Sequence, residues 1–488
     1  MQHTETDYLV IGSGAMGMAF ADTLVQESQG SDLHITIVDR HAKPGGHWND
    51  AYPFVTLHQP SAFYGVNSMA LGANRIDTAG ANQGMYELAS GPEISGYYDK
   101  VMNQKLLPSG QVSYFPMSNY LCYDEVAGVH TFESILSGEK TQVKVRKKLV
   151  DANYYSPTVP STHTPKFKVA DGVQLVAPNA LTQLWQANNP AISTNKRPTK
   201  FCILGAGKTA MDAAIWLLNS GAAPEAISWV MPRDSWLVNR LTTQPGEEFF
   251  KDSIGGQVTQ MACFANATSV DDLFLRMEAS GQMLRIYPDH TSTMFHFATV
   301  SKGEIAILQR IKNVIRMGRV QALEPANMVL DKGHMAMEAG TLYIDCSASA
   351  VEPRAMPPIF DGHKIVLQLV RAPLPTFSAA LIAYVEAHYP NDKDGEELKN
   401  KLCGNVPFPH SLADYPRTIA ANMTNQMYWG QDKPLRNWMR ETRLDGFGKL
   451  MTGIDPSDTE KLAMMGNLRT QAMAAMANLP KLMAFAKA

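Results

Sequence analysis

Tyr8-Leu9-Val10-Ile11-Gly12-Ser13-Gly14-Ala15-Met16-Gly17 is the stretch on which the reading of the fold turns. Four apolar residues run into a GxGxxG turn, after which Met18, Phe20, Ala21, Leu24 and Val25 recur at helical spacing. His34-Ile35-Thr36-Ile37-Val38 then reads as a second strand, with Asp39 and Arg40 at its end. Strand, glycine turn, helix and strand in this order make a dinucleotide-binding βαβ unit. Gly12 lets the chain turn off the strand, Gly14 lets backbone approach a pyrophosphate, and Gly17 lets helix and strand pack closely. Ala15 and Met16 open the helix, where free N–H groups and the helix dipole favour an anion. Asp39, 27 residues after Gly12, stands where a carboxylate accepts hydrogen bonds from ribose hydroxyls.

The pattern recurs near residue 200. Phe201-Cys202-Ile203-Leu204 leads into Gly205-Ala206-Gly207-Lys208-Thr209-Ala210, and a helix through Ile215, Leu217 and Leu218 stops near Gly221. Ile227-Ser228-Trp229-Val230 is the next strand. No acid ends it; Arg233 stands there, 28 residues after Gly205. A guanidinium suits the dianionic 2′-phosphate of NADP, which a carboxylate would repel, so Gly205, Gly207, Lys208, Thr209 and Arg233 read as a binding site for NADPH. Gly207-Lys208-Thr209 is not part of a P-loop, because the first glycine of that motif would have to occupy Cys202. Two dinucleotide sites in one chain imply hydride transfer from one cofactor to the other.

The rest of the chain narrows the class. Its 488 residues suffice for two or three domains, and 45% apolar with 18% charged residues is a globular composition. A net charge of −3 lacks the basic footprint that nucleic acid demands. The five cysteines are far apart with no CxxC pair, which argues against a disulfide framework, a cysteine zinc cluster and a dithiol centre. The sequence has neither an HExxH helix nor a GxSxG elbow, and no metal site is expected. The start lacks a basic n-region and no stretch reaches membrane-spanning length without charges, so a cytoplasmic protein without a transmembrane segment is expected. Pro157, Pro160 and Pro165 mark a crossover linker, and Thr341 to Cys346 reads as a buried strand returning the chain to the first unit. Ser457 with Glu460 predicts a capping box opening a Met- and Ala-rich helix, which Pro480 should break or kink. Oligomeric state has no signal here, and a homo-oligomer stays open.

With both turns in view, the sequence resembles the flavin-containing and Baeyer–Villiger monooxygenases, within the two-dinucleotide-binding flavoproteins. The resemblance spans roughly residues 5 to 350 in pattern. Gly45-Gly46-His47-Trp48 looks like the family's GGxW element, and its implication is that Gly46, His47 and Trp48 lie beside an FAD held by the first turn. Lys148 to Ala152 and Asp345 to Ala348 look like degenerate forms of the ATG motifs at strand ends. The family's linker signature FxGxxxH has no histidine in the comparable stretch Phe167 to Asn179.

The fold so implied is α/β. An FAD-binding Rossmann-like domain (1–165, returning at 341–435) carries an inserted NADP-binding Rossmann domain (198–340), and a helical segment (436–488) follows. The activity so implied is NADPH-dependent oxidation of an organic small molecule by O2, through addition of oxygen at flavin C4a. Its alternatives are an FAD-dependent dehydrogenase or reductase without oxygen insertion, and a non-catalytic dinucleotide-binding redox sensor. His58 and Gln59, in the aromatic loop Tyr52 to Tyr64, are the candidates for the flavin face, and Arg240 is the third catalytic candidate. A satisfied structural histidine and a surface arginine are the plainer readings of His58 and Arg240. His296 lies in an apolar setting that fits a substrate cavity and core packing equally well.

Overall fold

The computed structural model describes residues 2–186, 198–349 and 351–485. Both predicted βαβ units form. In the first, strand Gln2–Ile11 passes through the glycine turn into helix Ala15–Glu27 and strand Ile35–Val38. In the second, strand Phe201–Leu204 passes into helix Lys208–Asn219 and strand Ile227–Val230.

The parallel strands of the two main sheets are built to one plan. Gln2–Ile11 lies between Ile35–Val38 and Lys140–Asp151, with Val112–Phe115 beyond the former and Lys364–Val366 beyond the latter. Phe201–Leu204 lies between Ile227–Val230 and Leu342–Asp345, with Asn313–Ile315 and Gln174–Val176 outside them. The strand order reverses beside the first strand of each unit, which opens a crevice at the carboxyl ends of the strands. All four residues of Ile35–Val38 are buried, as expected of a parallel strand covered on both faces.

This plan corrects one expectation. The strand Leu342–Asp345 does not return the chain to the first sheet; it pairs with Phe201–Leu204 in the second. The return is made later, by Lys364–Val366 against Leu149 to Asp151. The second sheet also takes Gln174–Val176 from before residue 198. A continuous apolar run announces a buried strand but not which sheet buries it, so the assignment failed where topology decides.

The C-terminal helix is also placed differently. It runs Thr459–Phe485 without a break at Pro480. Its first turn is capped by the Asp458 carboxylate, which accepts from Lys461 N at 3.0 Å, while Glu460 pairs with Lys251 at 2.8 Å. No Ser457–Glu460 box forms. The helix packs along Phe250–Asn266 of the inserted unit. Ala475, Leu479 and Leu482 join Trp236, Phe264 and Phe274 in one core, so this segment is a structural layer and not a free tail. Among the described residues no helix is long and apolar enough to cross a membrane.

Candidate functional site: two glycine turns on one cavity

The glycines of each turn fall into two kinds. Gly12 and Gly205 have φ of +105° and +119°, a conformation that β-carbon sterics make costly for other residues. Gly17 sits so close that an added Cβ would lie 2.0 Å from the Gly12 carbonyl oxygen. These positions are required by the fold itself. Gly14 and Gly207 are different: their φ values are −71° and −82°, open to any residue. A Cβ at Gly14 would meet only Gly46 Cα at 3.6 Å, and one at Gly207 would meet nothing within 4 Å. Both line the cavity. What their missing side chains leave free is space for a ligand against the backbone.

The helix starts agree. Ser90, Ser301 and Asp392 cap their helices by accepting backbone N–H groups. The helices at Gly14 and Gly207 have no side-chain cap and no acid in the first turn. Their orphan N–H groups face outward from a turn that no side chain blocks, which suits a pyrophosphate.

The strand ends complete each cradle symmetrically. Ala152 N donates to Ile11 O at 3.0 Å, and Cys346 N donates to Leu204 O at 2.9 Å. The GGxW loop packs glycine on glycine: Gly45 N donates to Ser13 O at 2.8 Å, and a Cβ on Gly46 would lie 2.8 Å from Gly14 Cα. Trp48 Nε1 donates to the Tyr64 hydroxyl at 2.8 Å. Burial pushes the Tyr64 pKa up to about 12, against the opposing hydrogen bonds of Trp48 and Tyr98. Burial takes His47 down to about 4, so its imidazole is neutral at pH 7.

Asp39 accepts from Ser13 N at 2.5 Å and Ser13 Oγ at 2.9 Å through one oxygen, and from His41 N and Nδ1 at 2.7 and 2.8 Å through the other. Burial would raise its pKa, but the bonds from His41 and Ser13 outweigh that and hold the carboxylate below its ordinary range. His41 also reaches Asp50 at 2.9 Å through Nε2, and its pKa is raised, first by the Asp39 bond. The four bonds from Ser13 and His41 take up the roughly four lone-pair sites a carboxylate offers, so a ribose hydroxyl would reach Asp39 only by displacing one of them.

Both turns open on a single cavity of about 1560 Å³. Drug-sized pockets run to roughly 1,000 Å³, so this one has room for more than one such ligand. The candidate catalytic and cofactor-binding residues line it except Gly17 and Arg240; His58, Gln59, Arg40 and Arg233 all do. Gly17 serves packing, as its spacing implied.

Arg240 overturns both readings offered for it. It faces neither ligand space nor solvent, being fully buried. Its guanidinium donates to His58 O at 3.0 Å, Asn82 Oδ1 at 3.1 Å and Thr299 O at 3.3 Å, and pairs with Glu304 at 2.7 Å. Glu304 also meets Lys208 Nζ at 3.3 Å, and Lys208 bonds Asp212, which accepts from the Tyr52 hydroxyl at 2.7 Å. Two cations and two carboxylates thus tie the loop after GGxW to the second glycine turn.

His58 sits on this network. Its Nδ1 accepts from Thr299 N at 3.2 Å, which fixes the proton on Nε2. Burial, then the charges of Lys208 and Arg240, drive its pKa down to about 3. It is a neutral donor rather than an acid–base group.

Three residues of the wall escaped sequence reading. Arg319 lines the cavity near Arg233, whose pKa is lowered by burial and by Arg319's charge. Like charges held together suit a dianion between them. His163 lies in the linker with a mostly buried ring, 3.9 Å from Asp345 and 3.4 Å from Ser347 Oγ. His41, which bonds Asp39, stands at a position that no nucleotide fingerprint marks. No spacing rule marks Arg319 or His163, because each reaches the cavity only through tertiary pairing.

Residues 10–73 match the model of an NAD(P)-binding Rossmann-like domain, which covers the first glycine turn, Asp39 and the GGxW loop. Across 98% of this chain and 90% of its own, the polycyclic ketone monooxygenase of the thermophilic fungus Thermothelomyces thermophila superposes with a TM-score of 0.52 at 12% identity. The fold is that of the two-dinucleotide-binding flavoproteins. In sequence, the chain is 44% identical over 466 residues to Rv2000 of Mycobacterium tuberculosis (H37Rv) and equally to Mb2023 of Mycobacterium bovis, both described only as uncharacterized proteins. The match covers 94% of this chain and 82% of each of theirs, and the chain belongs to their family.

Proposed function

We propose that this protein is an FAD- and NADPH-dependent monooxygenase that uses O2 to oxidise an organic small molecule. The observation that carries the reading is the pair Gly14 and Gly207, two glycines that neither backbone conformation nor packing requires, opening on one cavity. FAD fits the first turn, with its pyrophosphate on the helix start at Ala15 and Met16 and its ribose at Asp39. NADPH fits the second, with its 2′-phosphate between Arg233 and Arg319. When bound, the flavin supplies hydride acceptance and reaction with O2.

The chain's own residues supply position and shelter. Lys208 sets a fixed cation at the second turn, neutralised on its far side by Asp212 and Glu304. His58 holds an Nε2–H at the cavity wall, and Gln59 beside it has no protein partner among the described residues. His47 and His58, both neutral at pH 7, bring no charged imidazolium to the cavity. A solved structure with this fold, that of the Thermothelomyces thermophila enzyme, is a polycyclic ketone monooxygenase, which favours oxygenation over a bare reductase.

The test is spectroscopic. Purified protein should be yellow, NADPH should bleach the flavin anaerobically, and admitting 18O2 with a substrate should label the product. Flavin that stays reduced in air would favour the dehydrogenase alternative. A colourless protein that refuses FAD would sink both.

A further inference from the structure

The cavity has a wall that neither βαβ unit supplies. Strand Met294–Val300 pairs with Ser235–Asn239, and the register breaks: Trp236 faces Phe295, but Val238 faces Thr299. Leu237 alone therefore spans what His296, Phe297 and Ala298 span opposite. Such a bulge bends the strand and re-aims its side chains. Here it turns all three residues onto the cavity. Phe297 takes φ of +56°, a left-handed conformation that a bulky residue adopts only where its surroundings enforce it.

From the other side, Phe408 and His410 arrive from the segment before helix Tyr415–Gln431 and line the same space. The rings of His296, Phe408 and His410 form a triangle, with centroids 6.2, 6.0 and 6.0 Å apart, and Phe297 lies 5.9 Å from Phe408. No carboxylate stands among these four. The nearest charges bearing on His296 are His410, Arg233 and Asp414; shelter by the wall, then His410 and Arg233, lower the His296 pKa. Arg233 is the group assigned above to a phosphate, which would cancel its charge.

We infer that His296, Phe297, Phe408 and His410 form the substrate subsite, and that it takes an uncharged planar aromatic ring compound. The inference rests on the cofactor reading above, since the nucleotides must occupy the two turns for this wall to remain free. Aromatic walls bind π-faces in offset or edge contact, and an uncharged ring avoids the desolvation a charged group would suffer here. The adenine of NADPH has the same ring chemistry and is the rival occupant.

Holoenzyme is titrated calorimetrically with 1-tetralone, indole and coumarin as neutral bicycles, and with 2-decanone as a linear ketone. Bicycles should bind at least about tenfold tighter than 2-decanone, and Phe408→Ala should lose about tenfold on the bicycles, as removal of one stacking ring implies. His410→Ala, a second variant, should weaken them in the same direction. In both variants FAD content and NADPH affinity should stay at the parental values. Equal binding of ring and chain, or no binding of any bicycle, overturns the inference. If Phe408→Ala weakens NADPH instead, the wall is an adenine platform and the inference also falls. Loss of FAD from the parental protein would instead condemn the cofactor reading, so the two failures are distinguishable.

Discussion

At the scale of single residues, function and architecture separate by what each side chain touches. Arg233 and Arg319 both line the cavity, where Arg319's charge bears on Arg233 and an anion would relieve the repulsion. Replacing either by Ala should raise KM for NADPH about 10- to 100-fold, the worth of one charge-assisted hydrogen bond, and leave NADH kinetics unchanged. Equal losses with both nucleotides would refute the phosphate assignment. Arg240 should behave in the opposite way. It touches no ligand space but is the buried partner of Glu304 and the donor to His58 O. Arg240→Met should destabilise the fold by about 3 kcal/mol in denaturant titration, as removal of one partner of a buried ion pair does. Arg240→Lys should recover little, because one ammonium cannot reproduce the guanidinium's spread of donors.

At the scale of elements, the glycine turns make a sharper test than any charged residue. Gly14→Ala and Gly207→Ala should fold with stability within about 0.5 kcal/mol of the parent, since neither Cβ meets an obstacle in the protein. Gly14→Ala should nonetheless purify without FAD, and Gly207→Ala should keep FAD and lose NADPH affinity. Gly17→Ala should instead lower the melting temperature, because its Cβ would fall on the Gly12 carbonyl. The same turns show what the sequence could disclose. Strand, glycine turn and helix are local, so residues 8 to 25 and 201 to 221 declared both units, and Asp39 and Arg233 followed from strand length. Leu342–Asp345 was legible as a strand but not as a member of the second sheet, since either sheet would bury it. Arg240 reads identically in sequence whether it lies outside or inside, and only Glu304, 64 residues on, decides between them. His163 and Arg319 lie beyond local reading for the same reason.

At the scale of the whole molecule, the cavity makes the fold acid-sensitive in a predictable direction. His58 and His47 have folded pKa values of about 3 and 4, well below the roughly 6.5 of an unfolded histidine. As pH falls below that value the unfolded chain takes up protons that the folded chain refuses, so stability declines until the folded pKa is reached. Each group contributes a slope of at most about 1.4 kcal/mol per pH unit over this window. His41 opposes them. Its folded pKa is raised by Asp39, so its stabilisation is complete below the unfolded value and fades as pH rises through the folded one. Melting temperature followed from about pH 7 to pH 5 should therefore fall in the parent. It should fall less steeply in a His47→Gln, His58→Gln double variant and more steeply in His41→Gln. His58 bonds Thr299 across the two units, so the acid-induced loss should appear first as separation of the glycine turns, seen as flavin release ahead of global unfolding. Parallel slopes in all three proteins would mean that the histidines are hydrated, and the closed wall that keeps His58 neutral would have to be abandoned.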